Sequence, residues 1–143
     1  MSATILQSAS PPTARAKTTD RRRLAGRIIT GLAVAFLTLD VVMKLAGAKA
    51  AVDGTAQLGF APHDVVTIGW IGAVCLVLYV IPYTAPLGAI LWTGYFGGAI
   101  AVQLRLAHPL FSQTLFPIYV AALVWGGLYL RDSRVRGLVH GSR

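Results

Sequence analysis

From Val65 to Leu104 the chain runs forty consecutive residues without Asp, Glu, Lys, Arg or His. The run breaks at Pro82-Tyr83-Thr84-Ala85-Pro86 into two apolar halves. Each half is about as long as a helix needs to cross a bilayer once. A water-soluble domain requires charge on its outer faces, so this pattern predicts lipid as the surrounding solvent.

A further apolar stretch precedes the run. Leu24 to Leu45 is 22 residues, or about 33 Å of helix at about 1.5 Å per residue. A cleaved signal peptide is the rival reading, with Arg21-Arg22-Arg23 as its basic region and Ala48-Lys49-Ala50 as its cleavage site. The stretch is too long for that, and Asp40 and Lys44 interrupt it, so a retained anchor is the better reading. Residues 46–63 form a connection with Gly47, Gly54 and Gly59 and room for a short surface helix. Pro62 suits the first turn of a second helix, with Asp64 near its positive end and Ile81 as its last residue.

The third helix is expected from Ala85 to Arg105. It contains Gly94-x-x-x-Gly98 and Gly97-x-x-x-Ala101, a spacing that lets backbones approach closely in lipid, and so predicts a central place in the bundle. The fourth is expected from Phe111 to Leu130, kinked at Pro117, with Trp125 and Tyr129 at headgroup level. The fold class predicted is all-α, a four-transmembrane-helix bundle with both termini cytoplasmic. Residues 1–22, rich in Ser, Thr, Ala and Pro, read as a disordered basic tail; 23–133 form the membrane domain, and 134–143 a second basic tail.

Composition agrees with this reading, since 55% of residues are hydrophobic and 13% are charged. The net charge of +8 would suggest nucleic acid as a partner if it lay on one polar face. Instead Arg15, Lys17, Arg21, Arg22, Arg23 and Arg27 precede the first span, and Arg131, Arg134, Arg136 and Arg143 follow the last. Basic flanks of this kind orient spans with their ends inside, and the partner they imply is the bilayer. Cys75 is the sole cysteine, in mid-span, where a buried inert thiol is expected.

Four spans bring Asp40, Lys44, Gln103, Arg105, His108 and Ser112 to one layer near the outer face. Ionisable groups in lipid are costly and mark candidate sites. The structural alternative is an ion-paired lock between the first and third helices, with Asp40 and Lys44 paired four residues apart. Other chemistries find no support. His63, His108 and His140 lie outside the spans or at their edges, which argues against haem ligation. Zinc-spaced ligands, a phosphate-binding glycine loop and a Ser-His-Asp set are all missing from the sequence, so no catalytic or metal site is assigned.

The ordered segments Leu106-Ala-His-Pro-Leu-Phe-Ser-Gln-Thr-Leu-Phe-Pro-Ile-Tyr119 and Leu123-Val-Trp-Gly-Gly-Leu-Tyr-Leu-Arg-Asp132 resemble the DoxX-like family of small bacterial membrane proteins. Leu87-Gly-Ala-Ile-Leu-Trp-Thr-Gly-Tyr-Phe-Gly-Gly-Ala99, Leu78-Tyr-Val-Ile-Pro82 and Asp40-x-x-x-Lys44 extend the resemblance over residues 27–133. It implies a four-helix bundle in the bacterial inner membrane. The family takes its name from a small subunit associated with thiosulfate:quinone oxidoreduction, and related bundles are linked to redox stress or to assembly of other membrane proteins. An accessory or scaffold subunit linked to a quinone-dependent oxidoreductase is therefore expected, with quinone the one cofactor the resemblance admits. The alternatives are a non-catalytic assembly protein, bound to another membrane subunit or to its own copies, and a small-solute or proton pathway. Relatives often carry Glu at the position of Gly72 and His at that of Gln103, groups able to exchange protons with a quinone. Here neither residue can.

Overall fold

The computed structural model describes residues 12–141, and among them every regular element is a helix. The first, α1, runs Pro12–Leu45 without interruption. Part of the segment read as a disordered tail is thus helix from Pro12 onward, with Pro12 at the first position and the helix formers Ala14, Arg15, Ala16 and Lys17 soon after it. Residues 1–11 of that tail lie outside the described residues. A short helix, α2, occupies Lys49–Gln57 in the connection, and α3 spans Asp64–Val80. Helix α4 runs Ala85–Arg105, the bounds that its apolar pattern predicts.

The last long helix departs from expectation at its start. Leu110–Thr114 forms a single π-helical turn, and α5 then runs Phe116–Arg131. Pro117 falls in the first turn of α5, where its missing N–H has no helical partner to lose. The expected kink is therefore a change of helix type just ahead of the proline. Beyond α5, the expected basic tail is helical as well: α6 covers Ser133–His140, capped by the Asp132 carboxylate accepting from the Arg134 amide at 2.9 Å.

Packing follows from which faces are small. Helix α1 lies against α3 and α5, and α4 lies against the same two, so α1 and α4 stand across a diagonal. A β-carbon on Gly26 of α1 would stand 2.8 Å from Leu130 Cβ, and one on Gly127 of α5 would stand 2.9 Å from the Thr30 amide nitrogen. These approaches place the middle of α1, near Gly26, beside the end of α5 at one end of the bundle. Gly88 of α4 makes a similar approach to Tyr79 of α3 at that same end. Leu37, Val41, Tyr79, Trp92, Val124 and Leu128 are buried between the helices, with Trp92 stacked on Phe96 at 5.1 Å between ring centroids.

The small-residue motif of α4 plays no part in this packing. Nothing lies within 4 Å of a β-carbon built on Gly94, Gly97 or Gly98, and Ala101 is exposed. The expectation that these residues make α4 central to its own bundle is corrected: Gly26, Gly88 and Gly127 provide the tight contacts instead.

Many large apolar side chains lie on the outer surface. Leu32, Trp70, Ile90 and Phe111 all point outward. Water would make so large an apolar exterior unfavourable, whereas hydrocarbon does not. Three helical segments are long and apolar enough to cross a membrane: Thr18–Leu45, Ala85–Arg105 and Leu110–Arg131. The apolar α3 has 17 residues, about 25 Å of helix, at the short limit for a span.

Candidate functional site

Four of the six polar residues expected in one layer form two local pairs. Asp40 and Lys44, one turn apart on α1, form an ion pair within that helix. Gly69 of α3 packs against the base of Lys44, since a β-carbon there would stand 3.0 Å from Lys44 Cβ. Gln103, in the last turn of α4, meets His108 through Oε1 and Nδ1. The chain folds back between these two at Ala107, whose φ of 52° is left-handed, and the His108 amide donates to the Gln103 carbonyl at 3.2 Å.

Arg105 and Ser112 are exposed and join neither pair. With α1 and α4 across the diagonal, no ion-paired lock connects them among the described residues. The structural alternative is corrected in that respect. Each pair is made from residues close in sequence, so it can satisfy its groups without help from a neighbouring helix.

One residue near Asp40 escapes a reading based on charge. Tyr95 of α4 is half-buried, edge-on to Trp92 at 5.0 Å, and lies within electrostatic reach of the Asp40 carboxylate. Its only signal in the sequence is a phenol inside an apolar helix. Trp92 itself is fully buried, and its indole N–H has no hydrogen-bond partner among the described residues. Gly72 faces this group: a β-carbon there would stand 3.1 Å from Val41 Cγ2 and 3.7 Å from Trp92 Cη2. The position that relatives often fill with Glu is thus occupied here by close helix packing. Cys75 is buried, as its mid-span position predicts.

The opposite end holds a denser polar arrangement. Pro82 ends α3 and leaves carbonyls there without helical donors. Arginines from the far end of the chain supply them. Arg134 donates to the Pro82 carbonyl at 2.7 Å, and Arg131 to the Tyr79 carbonyl at 3.4 Å while its guanidinium lies 5.5 Å from the Tyr79 ring centre. Arg136 donates to the Tyr129 and Leu130 carbonyls at 3.1 and 2.9 Å, capping the end of α5. Tyr79 extends its hydroxyl to the Val124 carbonyl at 2.8 Å, joining α3 to α5 in the core.

Asp132 is the acid among these arginines. Partial burial pushes its carboxyl up, but the hydrogen bonds from Arg134 and the charges of Arg134 and Arg131 outweigh that and hold it below the usual carboxylate range. Asp132 in turn raises Arg134. In the sequence these arginines read only as a topology signal. Their carbonyl partners lie up to 52 residues away, so nothing local announces the contacts.

A further bond crosses the middle of the molecule. The Trp125 indole donates to Thr93 Oγ1 at 2.9 Å, tying α5 to α4. Among the described residues no group of His, Cys, Asp and Glu could hold a metal ion.

Searches of the curated proteins and of the solved structures return no match to this chain. A family model does match, over residues 28–127, well over half of the 143 residues, and it takes in α3, α4 and most of α1 and α5. The chain belongs to the DoxX-like family.

Proposed function

We propose that this DoxX-like protein is an accessory or scaffold subunit of the bacterial inner membrane, without catalytic chemistry of its own, that docks α4 against another membrane subunit. The observation that carries this is the open face of α4. At Gly94, Gly97 and Gly98 there is empty space where a β-carbon would stand, and Ala101 continues the face. In lipid, small residues at this spacing admit a second helix at close range, and this chain's own helices do not use them. A quinone-dependent oxidoreductase is the partner class that the family resemblance suggests.

The proposed topology has four spans with both ends in the cytoplasm. It is supported by the adjacency of Gly26, where the apolar part of α1 begins, to the end of α5 and by the arginines gathered there. The short α3 crosses with slight thinning of the bilayer around it.

Gly94→Leu tests the docking role. It should leave the isolated protein as stable as wild type, because the added side chain meets nothing, while abolishing photo-crosslinks from α4 to a partner. Crosslinks of undiminished yield would refute the proposal, and crosslinks only between copies of this chain would replace the partner with self-association.

A second reading rests on Trp92, whose buried indole N–H lacks an acceptor among the described residues. A quinone carbonyl is an acceptor of suitable chemistry. Protein purified in mild detergent should then retain quinone, and Trp92→Phe, which keeps a ring but removes the donor, should lose it. Quinone absent from wild type, or equally retained by the variant, would end this reading.

A further inference from the structure

We propose that the basic end of the molecule binds the phosphate group of a phosphate ester, held between Arg27 of α1 and Arg131 of α5. These two arginines line a cavity of about 260 Å³ with Pro82, Ala85, Asp132 and Ser133. Pockets for drug-sized ligands run from about 300 to 1,000 Å³, so this one suits a headgroup or a small ester. Leu130, the residue before Arg131, lines a second cavity of about 130 Å³ with Thr19, Arg22, Arg23 and Arg136.

The charges favour an anion. Arg27 is exposed and makes no ion pair among the described residues. Arg131 uses part of its guanidinium on the Tyr79 carbonyl, but a guanidinium has five N–H donors, and others remain for a ligand. Asp132 also lines the cavity and would repel an anion if its charge stood free. It does not, because Arg134 engages both carboxylate oxygens at 2.9 to 3.3 Å, through its amide, Nε and Nη2. Ser133 adds a hydroxyl at the cavity wall. Two arginines on different helices line this one cavity, and several oxygens on one anion, as in phosphate, can take donors from both.

The phosphate has two sources, a lipid headgroup or a soluble ester, and one experiment separates them. Full-length protein is reconstituted in phosphatidylcholine nanodiscs. In one arm phosphatidylglycerol is added and the lipid retained after purification is counted by mass spectrometry. In the other, glycerol phosphate is titrated and the thermal midpoint is followed. Arg27→Gln should weaken binding by about fivefold in whichever arm responds. Arg21→Gln removes equal charge outside the cavity and should leave binding unchanged. A response confined to the lipid arm assigns the headgroup, and one in the soluble arm assigns the ester. No response in either, or equal losses from Arg27→Gln and Arg21→Gln, overturns the site. Arg27 is exposed and unpaired among the described residues, so its variant should fold even if Arg131→Gln, which loses the Tyr79 contact, does not.

Discussion

Gly88 of α4 sits against the backbone of Tyr79 so closely that a β-carbon on it would stand 2.5 Å from Tyr79 Cα and 2.8 Å from the Leu78 carbonyl carbon. The neighbouring atoms are main chain and cannot turn aside as a side chain would. Gly88→Ala must therefore part α3 from α4 near the Pro82 turn. We expect a loss of about 2–3 kcal/mol or more, as for overpacked cores, measured by denaturant unfolding in detergent micelles. Gly94→Ala on the same helix should change stability by no more than about 0.5 kcal/mol, since nothing stands near it.

The Asp40–Lys44 pair lies within one helix, and Arg105 takes no part in it. Asp40→Asn leaves the largely buried Lys44 ammonium without its carboxylate and should cost about 1–3 kcal/mol. Asp40→Leu combined with Lys44→Met should recover most of that, because both charges are then gone. A double-mutant cycle between Asp40 and Arg105 should give a coupling below about 0.5 kcal/mol. A larger value would restore the interhelical lock.

Trp125 and Thr93 tie α5 to α4 through one hydrogen bond of 2.9 Å. Trp125→Phe and Thr93→Val should each destabilise the protein, and their cycle should show a coupling of about 0.6 kcal/mol, with about 1.7 as the upper bound for such bonds in lipid. Independent effects would mean that the indole does not depend on Thr93.

Asp132 supplies the pH dependence of the basic end. Its folded-state carboxyl lies below the ordinary range, so its contribution is complete above the ordinary carboxylate pKa and is lost as pH falls through the lower, folded value. Helix α6 should therefore hold at neutral pH and loosen only in strong acid, seen as faster hydrogen exchange at the Arg134 and Val135 amides. Asp132→Asn keeps a capping oxygen without the titration and should remove the pH step. Asp132→Ala should cost about 1 kcal/mol of cap at neutral pH.

The long helices are legible in the amino-acid sequence because lipid imposes a local requirement. A span must be apolar residue by residue, and α4 begins and ends where its sequence says it should. Pairing of Asp40 with Lys44 is legible for the same reason, since one helical turn separates them. Gln103 and His108 are placed by sequence in the right region but not as a pair. Their contact depends on the left-handed Ala107 that turns the chain back, and an alanine carries no sign of that conformation.

Membrane class, the bounds of α4 and the neutral run from Val65 to Leu104 are thus determined by the sequence itself, through solvent preference alone. Which glycines pack and which stay open is decided only by the tertiary structure. Gly88 and Gly94 lie on one helix and look alike in sequence, yet the first touches Tyr79 backbone and the second meets empty space. The arginines after α5 likewise read as a charge signal until the fold sets Arg131 and Arg134 on carbonyls at the end of α3. Hydropathy is set by each residue alone, whereas facing is set by the rotation of whole helices against one another, which no short stretch of sequence encodes.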